Sequence, residues 1–598
     1  MILAAIDWAI VALFFTIVLG IGWYASRTAG KDTTEFFLGG RSMPWWLLGI
    51  SMVACTFSAD TPNLVTGMVR EGGVAKNWAW WAFLITGMVT VFIYAKLWRR
   101  SKVMTDLEFY ELRYGGKAAS FLRGFRALYL GVFFNTLIMG TVTLAAIKIG
   151  AVMLGLPPIV TVVGASLAVV IYASIGGIKG VIWADFFQYG IAMLGAVMAA
   201  VVAVRQPEVG SLSALFSHPA LEGKLDIFPD ISDPSVLITM FIFPIAVQWW
   251  AVWYPGAEPG GGGYIAQRML SAKDEKNAIG ATLLFNFAHY ALRPWPWIIV
   301  ALASLVIYPD LASIKAEFPT ITDQYLGHDV AYPVMLTRLG PGWLGLVVAS
   351  IIAAYMSTIG THLNWGSSYV VNDFYRRFVK KDASEKELVG VGRISTVVLM
   401  VMAGFFALTL LENATQGFNI LLLSGAGSGA IYLMRWFWWR INAWTEIVAM
   451  VVATVAAVVL VLFVSDEAVA TLYVDGMTMK LLIGTGLTTV AWVVTTLVTQ
   501  PEDYAVLKRF YTLTHPGGPG WSKVVQRALD EGEQIETKKW DLPQGILSVV
   551  LGCFGIYSAL FSIGNFVYGN MLIGAILFAV FAIAVFLLIK LWSKLNIE

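Results

Sequence analysis

Gly49-Ile50-Ser51-Met52-Val53-Ala54-Cys55-Thr56-Phe57-Ser58-Ala59-Asp60-Thr61-Pro62 begins as a membrane helix and then stops behaving like one. From Trp45 to Phe57 the chain is almost wholly apolar, after which Asp60 and Pro62 arrive at membrane depth. A carboxylate is costly there, and a proline withholds one backbone donor and blocks a neighbouring carbonyl. Lipid cannot satisfy the freed carbonyls, so the segment is buried in protein or lines a cavity. Carbonyls released by a broken helix are hard oxygen ligands, suited to a small cation.

Composition makes the rest of the chain a membrane protein. Of its 598 residues 58% are hydrophobic and 13% charged, where soluble domains carry about 25% charge; mean hydropathy is +0.73. A net charge of +2 supplies no field that would select nucleic acid. Cys55 and Cys553 both lie in apolar runs and predict no disulfide, and the five histidines form no metal motif. The first apolar run, Trp8 to Ala25, has no basic leader and reads as a retained helix rather than a signal peptide.

Apolar runs of spanning length recur near 6–26, 44–69, 78–99, 121–154, 157–175, 180–204, 234–257, 276–308, 332–372, 388–411, 417–438, 443–464, 479–499, 544–566 and 569–592, which predicts about fifteen spans. The loops between them alternate in charge. One set carries Arg27, Lys31 and Arg41, then Lys96 to Lys102 with Arg113, Lys117, Arg123 and Arg126, then Lys273 and Lys276, then Arg376 to Lys381. The other is acidic, with Asp226, Asp230, Asp233, Asp310, Glu317, Asp323, Asp466, Glu467 and Asp475. The positive-inside rule puts the first set in the cytoplasm, the N-terminus outside and the C-terminus inside, in the plasma membrane. Residues 500–543 read as a long polar cytoplasmic loop with a turn at Pro516 to Gly520, and the two spans after it as peripheral additions.

The helix at 44–69, broken at Asp60-Thr61-Pro62, has a counterpart at 234–257. That one is broken at Pro244 and ends in Tyr254-Pro255-Gly256-Ala257-Glu258-Pro259 and the glycines 260–263. Paired broken helices in corresponding positions of two halves are the mark of a carrier with inverted repeats and a midplane site; two unrelated proline kinks are the plainer reading of the spacing alone.

Four motifs go further. They are Glu35-Phe36-Phe37-Leu38-Gly39-Gly40-Arg41-Ser42-Met43-Pro44-Trp45, Ile175-Gly176-Gly177-Ile178-Lys179-Gly180-Val181-Ile182-Trp183-Ala184-Asp185-Phe186-Phe187-Gln188, Gln267-Arg268-Met269-Leu270-Ser271-Ala272-Lys273-Asp274-Glu275-Lys276-Asn277-Ala278, and Ala354-Tyr355-Met356-Ser357-Thr358. With these the chain, over roughly 6–465, resembles the sodium/solute symporter family of sodium-coupled sugar, proline, pantothenate, sialic acid and choline carriers. The resemblance implies an all-α polytopic membrane protein of leucine-transporter type, two inverted five-helix repeats preceded by one helix. The division is then 1–43 for the leading helix and loop, 44–204 and 234–438 for the repeats, 439–499 for additional spans, 500–543 for the loop and 544–598 for the last two helices.

The resemblance also implies sites. Sodium would be held by the carbonyls of Ala54, Phe57 and Ala354 and the hydroxyls of Ser357 and Thr358. Five neutral oxygens at one point suit a small hard monovalent cation; bonding of the two hydroxyls back to their own helix is the alternative. Asp185, a carboxylate inside a span, is functional by default. In some members it binds a second sodium with hydroxyls whose positions here are Gly360 and Thr361. Glycine has none, and pairing with a lysine or holding the helix against the sodium site are the other roles open to Asp185.

For the solute, the sugar carriers' polar positions read here as Thr61, Trp80, one of the glycines 260–263, His289 and Phe418, so most of their hydrogen-bonding partners are gone. The expected cavity has Asp60, Thr61, Glu258, His289 and Arg293 as polar groups and aromatic walls drawn from Trp78, Trp80, Trp81, Trp249, Trp250 and Trp253, with Tyr264 at the inner-gate position. Aromatic walls with carboxylates accept sugars and polyols by stacking, or amines and zwitterions by cation–π attraction. The chain is thus expected to be a sodium-coupled symporter of a small polar organic solute in the lipid bilayer. A solute sensor or channel on the same scaffold is the alternative class, and no nucleophile–base pairing points to an enzyme.

Overall fold

The computed structural model describes residues 3–29, 32–251, 258–319, 321–411, 422–533, 535–538, 540–595 and 597, and these are helical almost throughout. After α1 (Ala5–Ala29) come the two halves of a broken helix, α2 (Trp45–Cys55) and α3 (Asp60–Gly72). Four runs follow, α4 (Val74–Ser101), α5 (Gly116–Leu154), α6 (Pro158–Ser174) and α7 (Gly176–Val204). A second broken pair, α8 (Pro234–Trp250) and α9 (Gly263–Ser271), precedes α10 (Glu275–Ile307), α11 (Trp343–Val379) and α12 (Glu385–Thr409). The chain ends through α13 (Gly429–Met434), α14 (Ala443–Leu462), α15 (Gly476–Val498), α16 (Tyr504–Thr514), α17 (Ser522–Asp530), α18 (Leu542–Val567) and α19 (Met571–Trp592). Eleven of the described helices are long and apolar enough to cross a membrane, and α2, α6 and α8 are shorter apolar helices. The expected count of fifteen is not reached, because broken helices fall below spanning length and residues 417–421 of one expected span lie outside the described residues.

Both broken helices are present, and the first breaks one turn earlier than its proline suggested. α2 ends at Cys55, Thr56 to Ala59 leave the helix, and Asp60, Thr61 and Pro62 form the first turn of α3. First-turn N–H groups have no intrahelical acceptor, so proline costs little there and starts a helix rather than ending one. Pro244 likewise sits inside a helical turn, Phe243–Ala246, and the chain departs only at Val247. Before α9 restarts it, Gly260 and Gly261 take φ of 84° and 85°, a conformation glycine adopts without a Cβ penalty.

α2 packs on α7, α10 and α11, so the first break is enclosed by protein. α1 is fastened to the start of α11: the buried Asp7 carboxylate accepts the N–H groups of Gly342 and Gly345, each at 2.7 Å. A Cβ at Gly345 would stand 2.4 Å from the Asp7 backbone, so only glycine permits this approach.

Two expectations need correcting. Residues 500–543 carry two helices, α16 and α17, and the turn between them docks on the core: Trp439 N–H donates to the Gly520 carbonyl at 3.1 Å and Trp521 Nε1 to that of Trp436 at 2.8 Å. α18 is integral rather than peripheral. Tyr557 donates to the Trp81 carbonyl and Trp295 Nε1 to that of Leu560, both at 2.8 Å. Its buried Gly545, Ser548, Gly552, Gly555 and Ala559 recur every three to four residues, the small-residue face that lets membrane helices pack closely. α19 leaves most of its apolar surface outward, as expected of a lipid-facing helix.

Candidate functional site

The residues expected to hold sodium lie at the end of α2 and on α11, and all are buried. Ala54, Phe57, Ala354, Ser357 and Thr358 are all at most 4% exposed. Thr358 Oγ1 donates to the Cys55 carbonyl at 2.8 Å, and Ser357 Oγ to Asp185 Oδ1 at 2.6 Å. Both hydroxyls reach across to other helices instead of bonding back to their own. The Ala54 carbonyl accepts the Phe57 N–H at 3.0 Å across the turn that replaces the helix. Ser357 and Thr358 thus join α11 to Asp185 and to the end of α2.

Asp185 on α7 joins three elements. Its Oδ2 accepts from Ser51 of α2 at 2.5 Å and faces Arg268 of α9 at 3.8 Å, while Oδ1 holds Ser357 of α11. Its charge partner is therefore an arginine. Arg268, fully buried, also donates to Thr361 Oγ1 at 2.7 Å, Gln267 Oε1 at 2.9 Å and Ser51 Oγ at 3.3 Å. At Gly360 an added Cβ would stand 2.0 Å from Tyr172 Oη, which donates to the Met356 carbonyl at 2.8 Å. A tyrosine from α6 thus fills the place where a side-chain hydroxyl would stand.

Beside the first break a cavity of about 40 Å³ opens between α4, α9 and α10. Glu258, Tyr264 and His289 line it, as expected, together with Thr56, Thr86, Thr90, Thr282, Asn286 and Tyr290, which the sequence reading did not single out. Several donors there are already spent: Thr90 on the Thr86 carbonyl at 2.9 Å, Thr282 on that of Ala278 at 2.9 Å, and Asn286 Nδ2 on that of Thr282 at 2.8 Å. What these side chains retain is acceptor capacity. Asn286 Oδ1 is buried with no hydrogen-bond partner among the described residues, and it occupies the space a Cβ at Gly87 would need, 1.7 Å away.

His289 is held from both sides. Arg293 Nη2 donates to its Nε2 at 3.0 Å, so Nδ1 carries the proton and faces Thr56 Oγ1 at 2.9 Å. Arg293 Nη1 donates to the Thr56 carbonyl, freed by the break, at 2.6 Å. Asp60 bonds Ser58, and Thr61 Oγ1 lies 3.1 Å from Ser58 Oγ, so both serve the start of α3 rather than the cavity wall. Trp80 stacks on Tyr290 at 5.8 Å behind that wall. Trp78 and Trp81 pack with Phe561 of α18. Trp253 and Phe418 lie outside the described residues. Glu258 also borders a second cavity of about 50 Å³. There Arg126 and Arg435 share Glu446 at 3.5 and 3.4 Å. Arg126, counted above among loop charges, is buried in that cluster.

The sequence model of the sodium:solute symporter family matches residues 36–453. The chain belongs to that family. The symporter is 27% identical over 499 residues to a sodium/glucose cotransporter of Vibrio parahaemolyticus, covering 80% of this chain and 89% of that one. It is 25% identical over 475 residues to sodium/glucose cotransporter 1 of Oryctolagus cuniculus, covering 73% and 69%. Among solved structures it superposes on a Na+-coupled sialic acid symporter in a substrate-bound outward-open state with a TM-score of 0.67 and 22% identity, over 84% of this chain and 99% of that one. That likeness is one of fold, and it carries the inverted-repeat architecture over to this chain. Family membership makes the protein a transporter rather than an enzyme, with sodium and a solute as its cargo.

Proposed function

We propose that the symporter binds one sodium ion between the end of α2 and α11, and imports with it a small solute rich in hydrogen-bond donors. The carrying observation is the cavity's acceptor-rich wall, in which threonine and asparagine donors are spent on helix carbonyls and Glu258 adds a carboxylate. Polyol hydroxyls and amine N–H groups both answer such a wall. The Vibrio parahaemolyticus and Oryctolagus cuniculus relatives are named for glucose, which favours the first; the aromatic lining with a carboxylate favours the second. Sodium ties the broken helix to α11 and so favours the form open to the outside. Solute then enters beside the break, and rocking of the helix bundle exposes both to the cytoplasm. The N-terminus is placed outside and the C-terminus inside, in the plasma membrane.

The test is uptake into proteoliposomes, with and without an inward sodium gradient, of a panel of sugars, polyols, betaines and amino acids. Glu258→Gln separates the classes. Losing a charge-assisted contact, about 1.5–3 kcal/mol, weakens a cationic solute roughly tenfold to more than a hundredfold, whereas a neutral polyol keeps an acceptor and loses less. Accumulation of some panel member independent of sodium refutes the coupling. Sodium-dependent binding without transport brings the sensor forward.

A further inference from the structure

The break at the end of α2 frees backbone carbonyls, and two neighbouring helices divide them. The Cys55 carbonyl accepts from Thr358 of α11 at 2.8 Å, and the next one, that of Thr56, from Arg293 of α10 at 2.6 Å. α11 carries the hydroxyls proposed for sodium, and α10 carries His289 and Tyr290 of the cavity wall. Adjacent peptide units are thus fastened to the ion side and to the solute side.

Arg293 serves both ends of that division. Its side chain, 2% exposed, sends Nη1 to Thr56 and Nη2 to His289 Nε2 at 3.0 Å. A guanidinium only donates, so His289 keeps its proton on Nδ1, where Thr56 Oγ1 accepts at 2.9 Å. The Thr56 hydroxyl in turn donates to the Val53 carbonyl at 2.9 Å. Both ring nitrogens of His289 are therefore engaged, one by Arg293 and one by the break, and together they set the ring's orientation. The guanidinium also lies over Trp297 at 5.3 Å and over Phe57, next to Thr56, at 6.0 Å. His289 stands edge-on to Trp80 and Tyr290, with ring centroids 5.7 and 4.4 Å away. Turning the imidazole therefore moves the aromatic wall. α10 can yield at this point, because it widens into a π-helical turn over Ala288–Leu292, and Pro294 follows Arg293. Such turns and prolines are where helices bend.

We propose that Arg293 is the positioning residue that couples the two sites. Sodium draws the turn at Ala54 to Phe57 toward α11, the guanidinium passes the displacement of Thr56 to His289, and the cavity opens. This rests on the sodium site and solute cavity of the preceding section. Asp60, at the start of α3, is the carboxylate on which the Arg293 charge acts. Lysine in its place keeps that charge, but its single nitrogen does not reproduce the two-pronged bridge.

The experiment reads ion and cavity separately, with sodium as the only ligand. Thermal unfolding of the full-length protein with and without sodium reports ion binding. Thr90→Cys places a thiol in the cavity wall. Its rate of reaction with a membrane-impermeant methanethiosulfonate, added outside intact cells in sodium or potassium medium, reports opening. The protein with only its native Cys55 and Cys553 gives the background. Sodium is expected to raise the Thr90→Cys rate about fivefold or more. Arg293→Lys, and separately His289→Phe, which keeps a ring and removes both nitrogens, are then added to Thr90→Cys. In both, sodium is expected to raise the melting temperature as before while its effect on the rate disappears. A purely structural arginine would instead lower the melting temperature and leave the sodium effect on the rate in place. That result in both variants overturns the proposal, as does a rate that ignores sodium before Arg293 is changed. Loss of the sodium-induced thermal shift in Arg293→Lys overturns it too, by placing Arg293 in ion binding itself. Absence of that shift in the unmodified protein refutes the sodium site beneath the proposal.

Discussion

Replacing Asp185 by asparagine keeps shape and removes charge, which isolates what the carboxylate does. Its closest cation is Arg268 at 3.8 Å, and neither side chain has measurable exposure. At an effective dielectric of about 20, that separation is worth roughly 4 kcal/mol, and breaking a buried pair by removing one partner costs about 3–5 kcal/mol. Arg268 would keep only neutral acceptors, Thr361, Gln267 and Ser51. The amide must also turn its N–H group toward Ser51 or Ser357, both of which now donate to the carboxylate. The expected result for Asp185→Asn is a loss of about 3–5 kcal/mol of stability, with sodium affinity reduced because Ser357 is no longer held. Arg268→Met removes the other partner, and the double variant should recover most of the loss. Thermal unfolding of all four forms in detergent, with and without sodium, completes the cycle. Strict additivity, with coupling below about 0.5 kcal/mol, would refute the pairing. A sodium Hill coefficient near two in the unmodified protein would show that Asp185 serves a second ion instead.

Sodium should raise the melting temperature of the unmodified protein by mass action, with stabilisation reaching about 2.7 kcal/mol at a hundredfold excess over Kd. Ser357→Ala with Thr358→Ala should abolish that dependence while insertion persists; an unchanged sodium response refutes the site. Gly360→Ala drives a Cβ to within 2.0 Å of Tyr172 Oη, and overpacking of this kind costs about 1–3 kcal/mol; a stable variant would show that Tyr172 moves aside freely. Glu111, in the short helix Glu108–Arg113 before α5, is partly buried, which opposes its ionisation, but Arg377, Ser120 and Arg123 outweigh this and hold it at about 2, below its ordinary 4.5. Stability from this contact is therefore present above about pH 4.5 and lost as pH falls toward 2. Glu111→Gln should flatten that part of the acid-unfolding curve, and an unchanged curve would discount the cluster.

The features legible in the sequence were those whose cost is set by depth in the membrane. A carboxylate and a proline at midspan marked the first break, and Asp185 was conspicuous as a charge in an apolar run. Its partner was not, because Arg268 lies in a polar motif that reads equally well as loop. Arg126 was misassigned for the related reason that charge counting along loops is blind to burial. Along α10 a stripe was available, Thr282, Asn286, His289 and Arg293 at spacings of four, three and four, one polar face on an apolar helix. Only its last two members drew notice, since threonine and asparagine are cheap enough in membrane helices to pass for packing. α16 and α17 were hidden by the glycine–proline turn that joins them.

The arginine bears on ion stoichiometry. A sodium at Asp185 and Thr361 would have to share them with Arg268, which already engages both. Two unit positive charges about 4 Å apart repel by roughly 4 kcal/mol at a dielectric of about 20, so a second ion would have to displace the guanidinium or bind far more weakly than the first. Tyr172 removes the other foothold by occupying the space beside Gly360. A tethered cation thus stands where a diffusing one would otherwise neutralise Asp185. It leaves the carboxylate to orient Ser357, and the proposed coupling rests on the single ion that Ser357 and Thr358 face.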